Sequence, residues 1–306
     1  MKTINKKIIN AVNIFFLLLV LSELIPAKAM PAESNYLLGL AVIIEIIYIA
    51  NLIRNKNKEK VQACGDVAAL ILAFLWLWEL GTAKLGILDK FLYPAPGVVL
   101  KLFIQEFPFL LKGLLNSIQL LAGGYLLALL VAVPLALVIG WRRRLYQAAK
   151  PLTKVLGPIP PIVYIPYAIA ILPTFKASSI FVIFIGAFWP VFINTLNGVF
   201  NIEKRIIDAA RVLNVGEREM LFKVILPGAL PSMLSGATIG LVFSFILLTS
   251  AEMIGATSGI GWYVKYFSDF ADYPRVVVGI LFMGLVVTVI TYFFDQAERF
   301  LLRWRR

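Results

Sequence analysis

Apolar residues gather along this chain in long blocks, each closed by a cluster of charge or by Pro and Gly. The blocks fall at about 8–25, 36–53, 65–82, 113–140, 152–173, 178–200, 232–255 and 276–296. A helix rises 1.5 Å per residue, so about 20 apolar residues cross the hydrocarbon core of a bilayer. The pattern therefore predicts eight membrane-spanning helices.

Composition agrees with the pattern. Of 306 residues, 60% are hydrophobic and 15% charged, and the mean hydropathy is +0.88. A water-soluble chain carries nearer a quarter charged residues. The expected fold is an all-α polytopic membrane protein. The net charge of +12 points to topology rather than to nucleic acid, because the basic residues lie between the apolar blocks and not on one face. With eight spans they sort into two compartments. One holds Lys2, Lys6, Lys7, then Arg54, Lys56, Lys58, Lys60, then Arg142, Arg143, Arg144, Lys150, Lys154. It continues with Lys204, Arg205, Arg211, Arg218, Lys223 and ends with Arg299, Arg303, Arg305, Arg306, in all 21 of the 29 basic residues. Basic loops stay inside, so this set and both termini are expected in the cytoplasm. Trp141 and Trp262 fall at span ends, as interfacial aromatics do, while Trp189 lies deeper and is read as packing. Near the N-terminus, the three lysines, an apolar stretch and Ala27-Lys28-Ala29 imitate a cleavable signal peptide. The apolar block reaches back to Ile8 and Ile9, long enough to span, and is read as retained. A single cysteine, Cys64, and the absence of His exclude an internal disulfide, a Cys/His zinc site and a Ser-His-Asp triad.

Three connecting stretches carry information. Leu85 to Leu111 mixes Pro94, Pro96 and Pro108 with charge, and predicts a surface loop with a short amphipathic helix around 96–107 at the interface. The span at 152–173 holds Gly157, Pro158, Pro160, Pro161 and Pro166. Prolines remove amide donors, so a kinked, protein-buried helix is expected, one of the kind that lines transport paths. The basic stretch 201–231 is read as a helix-turn-helix elbow. Ile206, Ala209, Ala210 and Leu213 share one helical face, Asn214 ends the first helix in the left-handed conformation, and Gly216 caps a second with Glu217 and Glu219 in its first turn. Pro227 and Pro231 mark the exit into the next span. The apolar stripe asks for a docking partner.

The residues Asp208-Ala209-Ala210, Asn214, Val224, Leu226 and Pro227 resemble the EAA loop of binding-protein-dependent ABC importer permeases, EAA-x3-G-x9-I-x-LP. The spacing matches throughout, with Asp for Glu, Asn for Gly and Val for Ile. Gly157-Pro158-Ile159-Pro160-Pro161, Ala251-Glu252-Met253-Ile254-Gly255-Ala256 with Gly259-Ile260-Gly261, and Leu302-Arg303-Trp304-Arg305 are similar to the nitrate, sulfonate and taurine branch. The resemblance covers about 65–306. It implies a type I importer domain: six core helices at 61–306, with 1–60 adding two N-terminal helices and a basic linker. It further implies that the elbow, through Asp208, Ala209, Ala210, Asn214, Gly216, Leu226 and Pro227, couples to a separate cytoplasmic ATPase. An extracytoplasmic binding protein would deliver the solute, and a second permease subunit, most simply an identical one, would complete the path. No G-x4-G-K-[ST] loop occurs, so ATP and Mg belong to the ATPase, and this chain is expected to be a conduit in the cell membrane with no catalytic residue, cofactor or metal of its own.

Polar groups inside spans are functional candidates. Glu45 stands alone in the second span. Glu79 and Glu252 lie near span ends where water is expected to reach them, and Glu252 suits an outer gate. Pro160, Pro161, Asn194, Thr195, Ser244 and Thr249 complete the candidates for the path, with interhelical hydrogen bonding as the plainer use of the polar ones. The substrate expected from the resemblance is a sulfonate-, taurine- or nitrate-like anion. A thiamine precursor or riboflavin-like heterocycle on the same machinery is an alternative, and so is an ion-coupled secondary transporter, which would show paired mid-membrane charges and inverted repeats.

Overall fold

The computed structural model describes residues 11–27, 33–55, 57–89 and 91–305, and every regular element among them is helical. In chain order the longer ones are α1 (Ala11–Ser22), α2 (Ser34–Arg54), α3 (Lys58–Glu79), α4 (Pro96–Trp141), α5 (Arg143–Leu156), α6 (Ile165–Ile171), α7 (Phe175–Phe200), α8 (Lys204–Val212), α9 (Leu226–Gly255), α10 (Ile260–Asp269) and α11 (Tyr273–Leu301). Six helical stretches among the described residues are long and apolar enough to cross a membrane, seven if the bent pair around residue 158 counts as one. The beginning of the first expected span, Lys28 and Ala29 of the imitation cleavage site, and Lys2, Lys6, Lys7, Lys56, Lys90 and Arg306 lie outside the described residues. As described, α1 has 12 residues, short of a full crossing.

Two expectations about connections are corrected. The segment 96–107 is no separate interfacial helix: it is the first part of α4, which runs unbroken for 46 residues, about 69 Å at 1.5 Å per residue. Pro96 stands at its first position, where a missing N–H costs nothing, and no residue after it forces a stop. The proline-rich span, by contrast, is broken outright. Chain direction turns by 77° between Arg143–Leu156 and Pro161–Ile171, because Pro158, Pro160 and Pro161 leave no run of amides to continue the ladder. Nor is it protein-buried: Leu152, Val155, Val163 and Tyr167 are all exposed.

The chain divides into two compact units, residues 1–108 with 267–281, and residues 109–266 with 282–306. In the first, Val12 and Leu19 of α1, Leu37, Ala41 and Tyr48 of α2, and Leu72 and Leu75 of α3 form one buried cluster. Glu45 faces into this unit at 9% exposure, and its Oε2 has no hydrogen-bond partner among the described residues. A π-helical turn, Leu80–Lys84, extends α3 and turns Lys84 inward. Its ammonium, 2% exposed, lies 2.9 Å from Glu23 and 3.7 Å from Glu79, and donates to the Ile25 carbonyl at 3.3 Å. Glu79 is therefore buried, not water-washed. Elsewhere in this unit Arg275 bridges Glu106 and Asp272.

The second unit is built around α7 and α9. Val182, Ile183, Ala187, Val191 and Leu196 line one side and Ala229, Ala237, Leu241, Leu247 and Leu248 the other, all buried. Small residues let the two backbones approach: a Cβ on Gly198 would stand 2.5 Å from that of Ser232. From α4, the Tyr125 hydroxyl donates to the Ala237 carbonyl at 2.9 Å, so a third helix is pinned to the pair.

Candidate functional site

The elbow forms at one end of the second unit. Helix α8 stops where Asn214 takes φ 52°. The Asn214 amide donates to the Arg211 carbonyl at 2.9 Å and the Val215 amide to the Ala210 carbonyl at 3.2 Å. These are the two bonds of a Schellman ending, which needs a left-handed residue between them and accepts Asn there. Gly216 caps the next helix in extended conformation, and the Met220 amide donates back to its carbonyl at 2.8 Å. From Glu217 the helix continues into the membrane-type span as one path of 39 residues ending at Gly255. Pro227 and Pro231 thus mark no exit. A π turn, Met220–Ile225, widens the ladder ahead of Pro227, whose ring would crowd the carbonyl four residues back in a regular helix.

This geometry divides the expected apolar stripe. Ala210 is 7% exposed and packs inward with Val215, Met220, Ile225 and Ala229, so it seats the elbow on its own bundle. Ala209 is exposed, together with Ile206, Val212 and Leu213, the last two at 82% and 77%, values no water-soluble surface gains from. Asp208 lies on the same side and pairs with Arg211 at 3.6 Å. Leu226 and Pro227 are half-buried where the second helix meets the bundle.

A second cluster lies at the far end of α9. Glu252 is 1% exposed, which corrects the expectation that water reaches it. Its Oε1 accepts the Ser117 hydroxyl of α4 at 2.6 Å and its Oε2 the Gly261 amide at 2.8 Å. Ser117 Oγ in turn accepts the Ile260 amide at 3.0 Å. The carboxylate thereby caps α10 from another helix, where the dipole favours negative charge, and latches the 256–259 turn onto α4 and α9. Gly259 adopts φ +130°, and a Cβ there would run into the Glu252 carboxylate, so the position requires glycine.

Of the candidates for a path, Thr249 and Glu252 line one small cavity together with Ser117. Asn194, Ser244 and Thr249 each donate to the carbonyl one turn back in their own helix, at 2.8 to 2.9 Å. Thr195 and Ser244 are fully buried. Pro160 and Pro161 sit at the helix break, before and at the start of the 3-10 turn Pro161–Tyr164. The carbonyl hydrogen bonds of Asn194, Ser244 and Thr249 thus stay within their own helices rather than crossing between helices as expected, and Thr195 Oγ1 is buried with no hydrogen-bond partner among the described residues. Among the described residues no group of three or more His, Cys, Asp and Glu is placed to hold a metal ion.

A sequence profile for the binding-protein-dependent transport system inner membrane component matches residues 124–306, the stretch that contains the elbow and Glu252. The chain belongs to that permease family. A nitrate import permease protein of Leptolyngbya laminosa is 34% identical over 170 residues, 56% of this chain and 61% of its own. A putative aliphatic sulfonates transport permease protein of Bacillus subtilis is 30% identical over 261 residues, 84% of this chain and 93% of its own. The permease also shares its fold with a solved structure titled as an inward-facing conformation of the MetNI methionine ABC transporter, at a TM-score of 0.55 and 20% identity, over 63% of this chain and 95% of that one. The family and its nitrate and sulfonate branch are thus as the EAA-like elbow and the Ala251–Ala256 stretch led one to expect, and the permease is a multi-pass protein of the cell membrane. What the sequence reading missed is Ser117. It lies in an apolar run 135 residues before its partner, and no local pattern announces such a pairing.

Proposed function

We propose that this permease is the membrane subunit of an ATP-driven, binding-protein-dependent importer of a small anion of the nitrate or sulfonate kind. Two copies pair about a two-fold axis, and each presents its elbow to one ATPase subunit, on which ATP and Mg are bound. A binding protein delivers the solute from outside. Residues 61–306 act as the transporting core and residues 1–60 add two helices, giving eight spans with both termini in the cytoplasm.

The observation that carries this reading is the bare apolar face of the elbow, Ile206, Ala209, Val212 and Leu213, over a seat already filled by Ala210. Asp208 and the tight Asn214–Gly216 turn frame that face, and Leu226 with Pro227 joins it to the span, so a push on the elbow is delivered along a continuous helix. The anion is favoured by the nitrate and sulfonate relatives.

Val212→Glu adds a charge on the outward face without touching the bundle. The expected outcome is normal membrane abundance, with ATPase co-purification and uptake falling together by tenfold or more, since burying an unpaired charge in an interface costs several kcal/mol. Unchanged association and uptake would remove the elbow from the mechanism.

A further inference from the structure

We propose that the turn latched by Glu252 carries an oxyanion-receiving site, formed by Lys112, Asn116 and Ser258, through which the solute enters the permease. The proposal rests on the reading of this chain as an importer of small anions and names the residues that meet them.

Lys112 and Asn116 stand one turn apart on α4 and so share a face. The Asn116 side-chain amide donates to Ser258 Oγ at 3.0 Å, closing α4 against the turn between α9 and α10. Between them lies a cavity of about 80 Å³, walled by Phe109 and Trp262, whose rings meet with centroids 6.4 Å apart. Every one of these residues belongs to the second unit.

The chemistry of the lining selects the ligand. Ser258 Oγ accepts from Asn116, so its own hydroxyl proton is free to donate, and Asn116 keeps a second N–H. Lys112 brings three more donors and the lining's one formal charge, and it has no ion pair among the described residues. The nearby carboxylate does not oppose it. Both oxygens of Glu252 are occupied, one by Ser117 and one by Gly261, and the side chain is buried behind the turn. A positive charge with hydroxyl and amide donors beside it fits the oxygens of a planar or tetrahedral oxyanion, while Phe109 and Trp262 offer apolar surface to an organic substituent. A lysine that merely solvates a helix end needs neither the paired Asn116 and Ser258 nor a turn held rigid by a buried carboxylate. The latch supplies preorganisation: the hydroxyl of Ser258 is placed before the anion arrives.

The test uses the complete transporter, permease with ATPase and binding protein, in liposomes, with nitrate and methanesulfonate as probes. At saturating solute-loaded binding protein, Lys112→Glu is expected to lower uptake at least tenfold, the loss of one charge-assisted contact. Lys112→Arg should restore most of it, and Ser258→Ala should lower it several-fold. The concentration of loaded binding protein that half-stimulates ATP hydrolysis should not change. Uptake by Lys112→Glu within twofold of the parent would overturn the site. So would a loss accounted for by weaker docking of the binding protein. A parent transporter that carries neither probe would instead overturn the anion reading itself, and the site with it.

Discussion

At Asn214 a single backbone angle decides whether the elbow exists. The left-handed conformation costs an ordinary residue about 1–2 kcal/mol, and Asn lessens that cost without abolishing it as Gly does. Asn214→Gly is therefore expected to leave the elbow intact and slow hydrogen exchange at the Val215 amide. Asn214→Val should speed exchange there about tenfold and weaken ATPase association; equal protection in both variants would show that the Schellman ending does not hold the turn. This residue was legible because its rule is local: a small amide placed where one helix stops and Gly216 starts another. Glu252 was not. Its place near a span end suggested water, but its burial depends on Ser117 and on the α10 amides, which arrive from elsewhere in the chain and satisfy both oxygens. Local rules read from sequence reach only as far as the neighbouring turn.

Elements were legible in existence and less so in extent. Six of the expected spans correspond to helices long and apolar enough to cross a membrane, because a bilayer admits little else over 20 apolar residues, whereas the span at 152–173 is broken in two and α1 has 12 described residues. Boundaries went astray where the sequence offered prolines as stops. In α4 and α9 prolines stand inside helices, with a π turn absorbing the strain before Pro227, whereas the close-set prolines after Gly157 break the chain by 77°. In α8 the stripe was rightly apolar, but its two alanines point to opposite sides. That contrast makes an element-scale prediction. Ala210→Glu should fail at folding, with a charge driven among Val215, Met220 and Ile225, costing roughly 3–5 kcal/mol as an uncompensated buried charge and lowering membrane abundance and detergent stability. Ala209→Glu, one residue earlier and exposed, should leave both near the parent level. Equal abundance of the two variants would mean that the elbow does not rest on its bundle.

For the whole molecule, the sorting of 21 of the 29 basic residues into alternate connections predicts a testable topology, in which those connections face the cytoplasm. Single cysteines at Asn57, Gln147 and Asn214, in a Cys64→Ser background, should resist a membrane-impermeant thiol reagent in intact cells and react after permeabilisation. Labelling of all three from outside would overturn the eight-span arrangement. Within the first unit, the burial of Lys84 has a consequence for how the chain must be handled. Its nearest carboxylate, Glu23, and the Ile25 carbonyl both follow α1, while Glu79 alone stands too far, at 3.7 Å, to replace them. Helix α1 thus behaves as an intramolecular ligand, captured at the high effective concentration that covalent linkage provides. Cut away, it would leave Lys84 with Glu79, at 3.7 Å, as its remaining ion partner among the described residues and the inner faces of Leu72 and Leu75 uncovered. Supplied again as a separate segment, it would have a charged receptor waiting for it.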